Sequence, residues 1–94
     1  MDLQLTLLQN WYATQCNGDW EHSYGIEITT LDNPGWSLQI QLYETELQDV
    51  ELAEIQLDRS EQDWLFCSLN PEKTIFHAAC GPHNLVEVLQ IFND

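Results

Sequence analysis

The chain has 94 residues, 44% of them hydrophobic, and carries 16 acids against 2 bases for a formal charge of −14 at pH 7. That length supports one small domain, 1–94, and that hydrophobic content supports a packed core rather than disorder. Phosphate binding needs Lys and Arg, so the composition excludes nucleic acid and anionic membrane as partners and favours a cationic protein.

Residues 3–17 predict a helix, because Leu3, Leu7, Leu8, Trp11, Tyr12 and Cys16 recur at helical spacing. Asn17-Gly18 ends it, with glycine free to take the left-handed conformation past the last turn. No N-cap beyond Asp2 precedes it. Residues 24–31 and 36–43 alternate with a period of two, most sharply in Trp36, Leu38, Ile40 and Leu42. The intervening DNPG predicts a type II turn, with Pro34 first and a positive-φ Gly35 second, and hence a hairpin.

Residues 44–51 are acidic and irregular, either a loop or a ragged edge strand. Ala53, Ile55 and Leu57 alternate within a strand at 53–58, and RSEQD turns the chain. Residues 64–69 and 75–80 are almost continuously apolar, as central strands are, with NPEK between them. Residues 84–93 predict the closing helix from the stripe Leu85, Val88, Leu89, Phe92, with Asn84 as N-cap and Glu87 three residues later. The expected fold is α+β, an antiparallel meander of about five strands with the N- and C-terminal helices packed on one face.

Cys16, Cys67 and Cys80 make an odd count without CxxC spacing. The opening MDLQLTLLQNWY has no basic start or cleavage site, so free thiols in a reducing cytoplasm are expected. No apolar run approaches the roughly 20 residues that span a bilayer. His22, His77, His83 and the cysteines show no ligand spacing, and His77 and Cys80 fall on opposite sides of a strand. No metal or cofactor is therefore expected. Cys16 with His22, or Cys80 with His83, sits in no nucleophile signature, so a small cysteine/histidine enzyme is the alternative rather than the main reading. The acid pairs Asp19/Glu21 and Glu44/Glu46 would need a deep sugar cleft to act as a glycosidase, which so small a chain rarely builds.

The acids themselves are the stronger signal. Residues 44–58 hold Glu44, Glu46, Asp49, Glu51, Glu54 and Asp58. The segment DWEHSY, Asp19 to Tyr24, is a helix-to-strand corner, read either as structural, with Trp20 a core plug braced by Glu21 or His22, or as partner-binding, with Asp19, Glu21 and His22 exposed; the two readings are compatible. The candidate partner-binding residues are Asp19, Glu21, His22, Tyr24, Tyr43, Glu44, Glu46, Asp49, Glu51 and Glu54. Exposed aromatics would supply the anchoring that bare acids lack. A general acidic binder of cationic proteins is a further alternative.

The blocks Trp11-Tyr12, Gln15-Cys16, Gly18 to His22, Tyr24-Gly25-Ile26 and Thr30 to Trp36, followed by Asp63-Trp64, Gly81-Pro82, Asn84-Leu85 and Ile91-Phe92, form an unusual pattern. Over residues 8–92 it resembles the immunity protein 53 family of bacterial polymorphic-toxin systems. FHAACGP departs from the glycine-rich approach to Gly-Pro that the resemblance leads one to expect. The resemblance implies a non-enzymatic protein that binds and neutralises a cognate toxin domain in the cytoplasm. The charge adds that the toxin is basic, as nuclease toxins commonly are because their substrate is anionic. Steric and electrostatic occlusion of the toxin is the expected mechanism.

Overall fold

The computed structural model describes residues 3–93. The elements in chain order are α1 (Leu3–Gln15), α2 (Trp20–Ser23), β1 (Ile26–Leu31), β2 (Gly35–Gln41), β3 (Ile55–Ser60), β4 (Asp63–Leu69), β5 (Ile75–Cys80) and α3 (Leu85–Asn93). The fold is α+β, with a five-stranded antiparallel sheet and helices at both chain ends.

The strand order β1-β2-β5-β4-β3 corrects the expected simple meander. Two hairpin-built units, β1-β2 and β3-β4-β5, join where β2 pairs with β5. Burial explains the order. Leu38 and Ile40 of β2 and Phe76, Ala78 and Cys80 of β5 are buried, so these strands take central positions. β1 and β3 are largely exposed and take the edges.

The register lines up one continuous row across the sheet, Ile28–Leu38–Ala78–Cys67–Ile55, and a neighbouring row, Ile26–Ile40–Phe76–Leu69. Side chains alternate across a strand, so these rows share one face. Leu8 of α1 and Val88 and Leu89 of α3 join that face in the main core cluster. Among the described residues no helix covers the opposite face, which reads Glu27–Gln39–His77–Ser68 and Thr29–Ser37–Ala79–Phe66–Gln56.

Several local expectations change. The apolar stripe of α1 does not form one buried face. Leu8 is its buried residue, whereas Leu3, Leu7 and Tyr12 are exposed, because the helix packs mainly through Leu8 and Trp11. Asp2, the expected cap, lies outside the described residues. The β1-β2 turn is not the expected type II turn. Gly35 does not have positive φ and already pairs with Leu31 in the ladder. Glycine is required there because a Cβ would collide with the backbone carbonyl of Cys80 on the adjacent strand. Gly18, by contrast, does take φ +96° just beyond α1.

At the far end of the sheet a bulge between Asp58 and Ser60 turns Arg59 out of the β3-β4 ladder. Its guanidinium donates to Asp63 at 3.0 Å and to both carboxylate oxygens of Glu87 at 3.2 and 2.6 Å, tying the hairpin to α3. These hydrogen bonds hold the Asp63 and Glu87 carboxyls below their ordinary range. Asn84 does not cap α3 with its side chain, contrary to expectation. Its Nδ2 donates to Asp63 and Glu87, and its buried Oδ1 accepts no hydrogen bond.

Candidate functional site

The chain leaves β2 at Gln41 and reaches β3 at Ile55 by crossing the opposite end of the sheet, past the ends of β5 and β4. Residues 42–54 therefore settle as a looped crossover and not an edge strand. The crossover is pinned to the 70–74 turn by Leu42 N donating to Thr74 O at 2.7 Å and Asp49 N to Lys73 O at 3.2 Å. Asn70 organises that turn, its Oδ1 accepting the N–H groups of Thr74 and Ile75. Glu44 and Asp49 adopt φ of 63° and 66°, left-handed conformations that cost a non-glycine residue about 1 kcal/mol or more.

The DWEHSY corner lies at the same end, at the start of β1. Trp20 is 2% exposed and is a core plug. Its indole N–H donates to the Tyr43 carbonyl at 2.9 Å, joining the corner to the start of the crossover. Glu21 is a brace, its carboxylate accepting the Asn17 and Gly18 N–H groups at 2.9 Å each. Its own N–H, then those of Asn17 and Gly18, keep this carboxyl below its ordinary range. Asn17, which sequence reasoning passed over as a helix stop, performs the capping, its Oδ1 accepting the N–H groups of Asp19 and Trp20. His22 and Asp19 face solvent.

An aromatic chain links this corner to the core. Phe76 meets Phe92, and Phe92 meets Trp11, at ring distances of 5.2 Å. Trp11 meets Trp20 edge-on at 6.2 Å, Trp20 meets Tyr24 at 6.2 Å, and Tyr24 meets Tyr43 at 5.2 Å. The last ring, Tyr43, is 41% exposed. Burial first, then the Glu44 carboxylate, pushes the Tyr24 hydroxyl above its ordinary range. Glu46 is engaged from below, accepting the Trp11 indole N–H at 2.8 Å and the Gln15 amide at 3.1 Å. Glu51 pairs with Lys73 at 2.6 Å, which lowers its carboxyl.

The ten candidate residues thus share one end of the sheet, in two groups. Asp19, Glu21, His22, Tyr24, Tyr43, Glu44 and Glu46 gather at the β1–β2 side. Asp49, Glu51 and Glu54 trail along the crossover toward β3. The two sheet edges are separated by four inter-strand spacings, ~19 Å. With Glu72 this end carries eight of the chain's 16 acids. The chain's two basic residues, Arg59 and Lys73, are both held in ion pairs.

Cys67 and Cys80 are buried, and burial pushes the Cys67 thiol up to about 11 and the Cys80 thiol upward. Neither presents a thiolate at neutral pH. Among the described residues, no group of three or more His, Cys, Asp or Glu side chains is placed to hold a metal ion. No described helix is long and apolar enough to cross a membrane.

No curated protein and no solved structure matches the chain. The sequence model of one family, immunity protein 53, matches residues 5–94, nearly the whole length and every element that builds the acidic end. The chain belongs to the immunity protein 53 family.

Proposed function

We propose that this immunity protein neutralises its cognate toxin by direct binding through the acidic end of the sheet, covering the toxin's active site or substrate surface. The observation that carries this is the placement of eight acids at one end of the sheet together with the half-buried Tyr24 and exposed Tyr43, in a chain whose two Lys/Arg side chains are already paired. Such a surface attracts a basic toxin, and a nuclease is the class of toxin whose own substrate requires a basic surface. Asp19, His22, Glu44, Asp49 and Glu54 are the exposed polar contacts, with Tyr24 and Tyr43 as the aromatic anchor. Glu21, Glu46 and Glu51 act mainly by holding the corner and the crossover in shape. The protein acts in the cytoplasm, on a toxin delivered to or made in the same cell, and catalyses nothing itself.

The helix-free sheet face is a second docking surface to weigh, because Trp64 and Phe66 lie half-buried there with no helix over them. Charge reversal separates the two. The test is co-expression with the toxin domain encoded next to it, scored by growth rescue and by recovery of a stoichiometric complex. With Glu44→Lys plus Asp49→Lys, association should slow about tenfold and lose much of its salt dependence. Glu27→Lys plus Asp58→Lys, on the helix-free face, should leave both nearly unchanged. The reverse pattern moves the interface to the sheet, and no rescue by the folded native protein refutes neutralisation of that toxin.

A further inference from the structure

An apolar groove runs beneath the acidic crossover. One hollow, about 90 Å³, has Leu42 and Phe76 as buried lining residues and Val50 and Glu51 as exposed ones. A second, about 220 Å³, is lined by Leu7 and Trp11 of α1, and the two hollows share Leu47 and Phe92. The two hollows therefore adjoin at Leu47 and Phe92 between α1 and the crossover, and Leu7 and Val50 are 40% and 38% exposed at their outer ends.

We propose that this groove seats an aliphatic side chain of a lysine- or arginine-flanked segment of the partner, with the smaller hollow as its anchor pocket; this rests on the neutralisation reading above. The shape and the rim each support that occupant. An apolar cavity of ~150 Å³ takes a benzene ring. At about 90 Å³ the smaller hollow matches a branched side chain of about four carbons, Leu or Ile, better than an indole. Charge complementarity selects the flanks. Glu46 and Glu51 border the groove, fixed by Trp11 and Lys73, and Glu44 and Asp49 stand exposed beside them. A neutral apolar segment would leave Glu44, Glu46 and Asp49 without counter-charge, and an acidic one would be repelled. Acids along the rim with a desolvated aliphatic anchor between them divide the labour that interfaces commonly show, steering from the charges and residence time from the pocket.

The test uses two peptides as probes, Ac-Lys-Lys-Leu-Lys-Lys-amide and the same peptide with Ala at the centre, titrated into the native protein and followed through methyl NMR signals. The charges are identical, so electrostatic attraction cancels in the comparison. The expected result is binding about tenfold tighter for the leucine peptide, with shifts at the Val50, Leu52, Leu69 and Ile91 methyls. Val50→Trp, which should cap the pocket mouth, and Leu52→Phe, which should fill it from the side, should each bring the two peptides to equal affinity. Equal affinity of both peptides for the native protein overturns the proposal. So do methyl shifts that follow protein concentration alone, since a second copy is then the occupant. Either failure leaves the growth-rescue result standing, so loss of the pocket and loss of toxin neutralisation are distinguishable.

Discussion

Trp20 sits at the joint between the corner and the crossover, and Trp20→Phe tests whether that joint holds as described. The indole is 2% exposed and touches the rings of Trp11, Tyr12 and Tyr24. Replacing it with a phenyl ring removes ~40 Å² of buried apolar area, about 1 kcal/mol. The residual void adds about 1 kcal/mol if the surrounding rings do not close over it. Loss of the hydrogen bond to the Tyr43 carbonyl adds about 1 kcal/mol. The expected loss is therefore about 3 kcal/mol, or a Tm lower by ~10–20 °C for a domain of this size. Urea denaturation monitored by far-UV circular dichroism measures it. Because the change removes a tie between α2 and the crossover, toxin association should also weaken even where the protein stays folded. A loss below about 0.5 kcal/mol would show that Trp20 is not a load shared by both segments and would refute the joint.

Further expectations concern the backbone and the ion pairs. Gly35→Ala should destabilise by about 1–3 kcal/mol, because its Cβ meets the Cys80 carbonyl, whereas Gly25→Ala meets nothing within 4 Å and should be neutral or stabilising by up to about 1 kcal/mol; equal effects in thermal melts would disprove the close approach. Glu44→Gly should relieve a left-handed backbone and raise stability by up to about 1 kcal/mol while slowing toxin association, a separation that melts and stopped-flow binding would show together. Arg59→Gln should lower stability at pH 7. Arg59 holds Asp63 and Glu87 below their unfolded values of about 4, so its contribution is present above that pH and is lost as pH falls through the lowered folded values. The gap between native and variant should close in strongly acidic buffer, and a gap that persists there would show that Arg59 acts by packing.

The sequence by itself determined the two terminal helices, the five strands and the family, but not the short α2, which it read only as a corner. Period-two alternation in 36–43 and helical spacing in 84–93 follow from where backbone geometry points each side chain, so local order suffices to read them. The blocks from Trp11 to Trp36 carried the resemblance that the family match over residues 5–94 bears out. Strand order was decided only in the tertiary structure. Pairing β2 with β5 depends on which strands can bury both neighbours, a competition among segments more than 30 residues apart in sequence. Gly35 illustrates the same limit, since DNPG reads locally as a turn while the reason for glycine lies on Cys80, across the sheet. The acids of the corner and the crossover were legible as two separate clusters. Their meeting at one end of the sheet, joined by Trp20 and Tyr43, follows from the crossover's path, which no local pattern encodes. The groove beneath them is likewise a property of packing, built where Leu47 and Phe92 come together from opposite ends of the domain's second half.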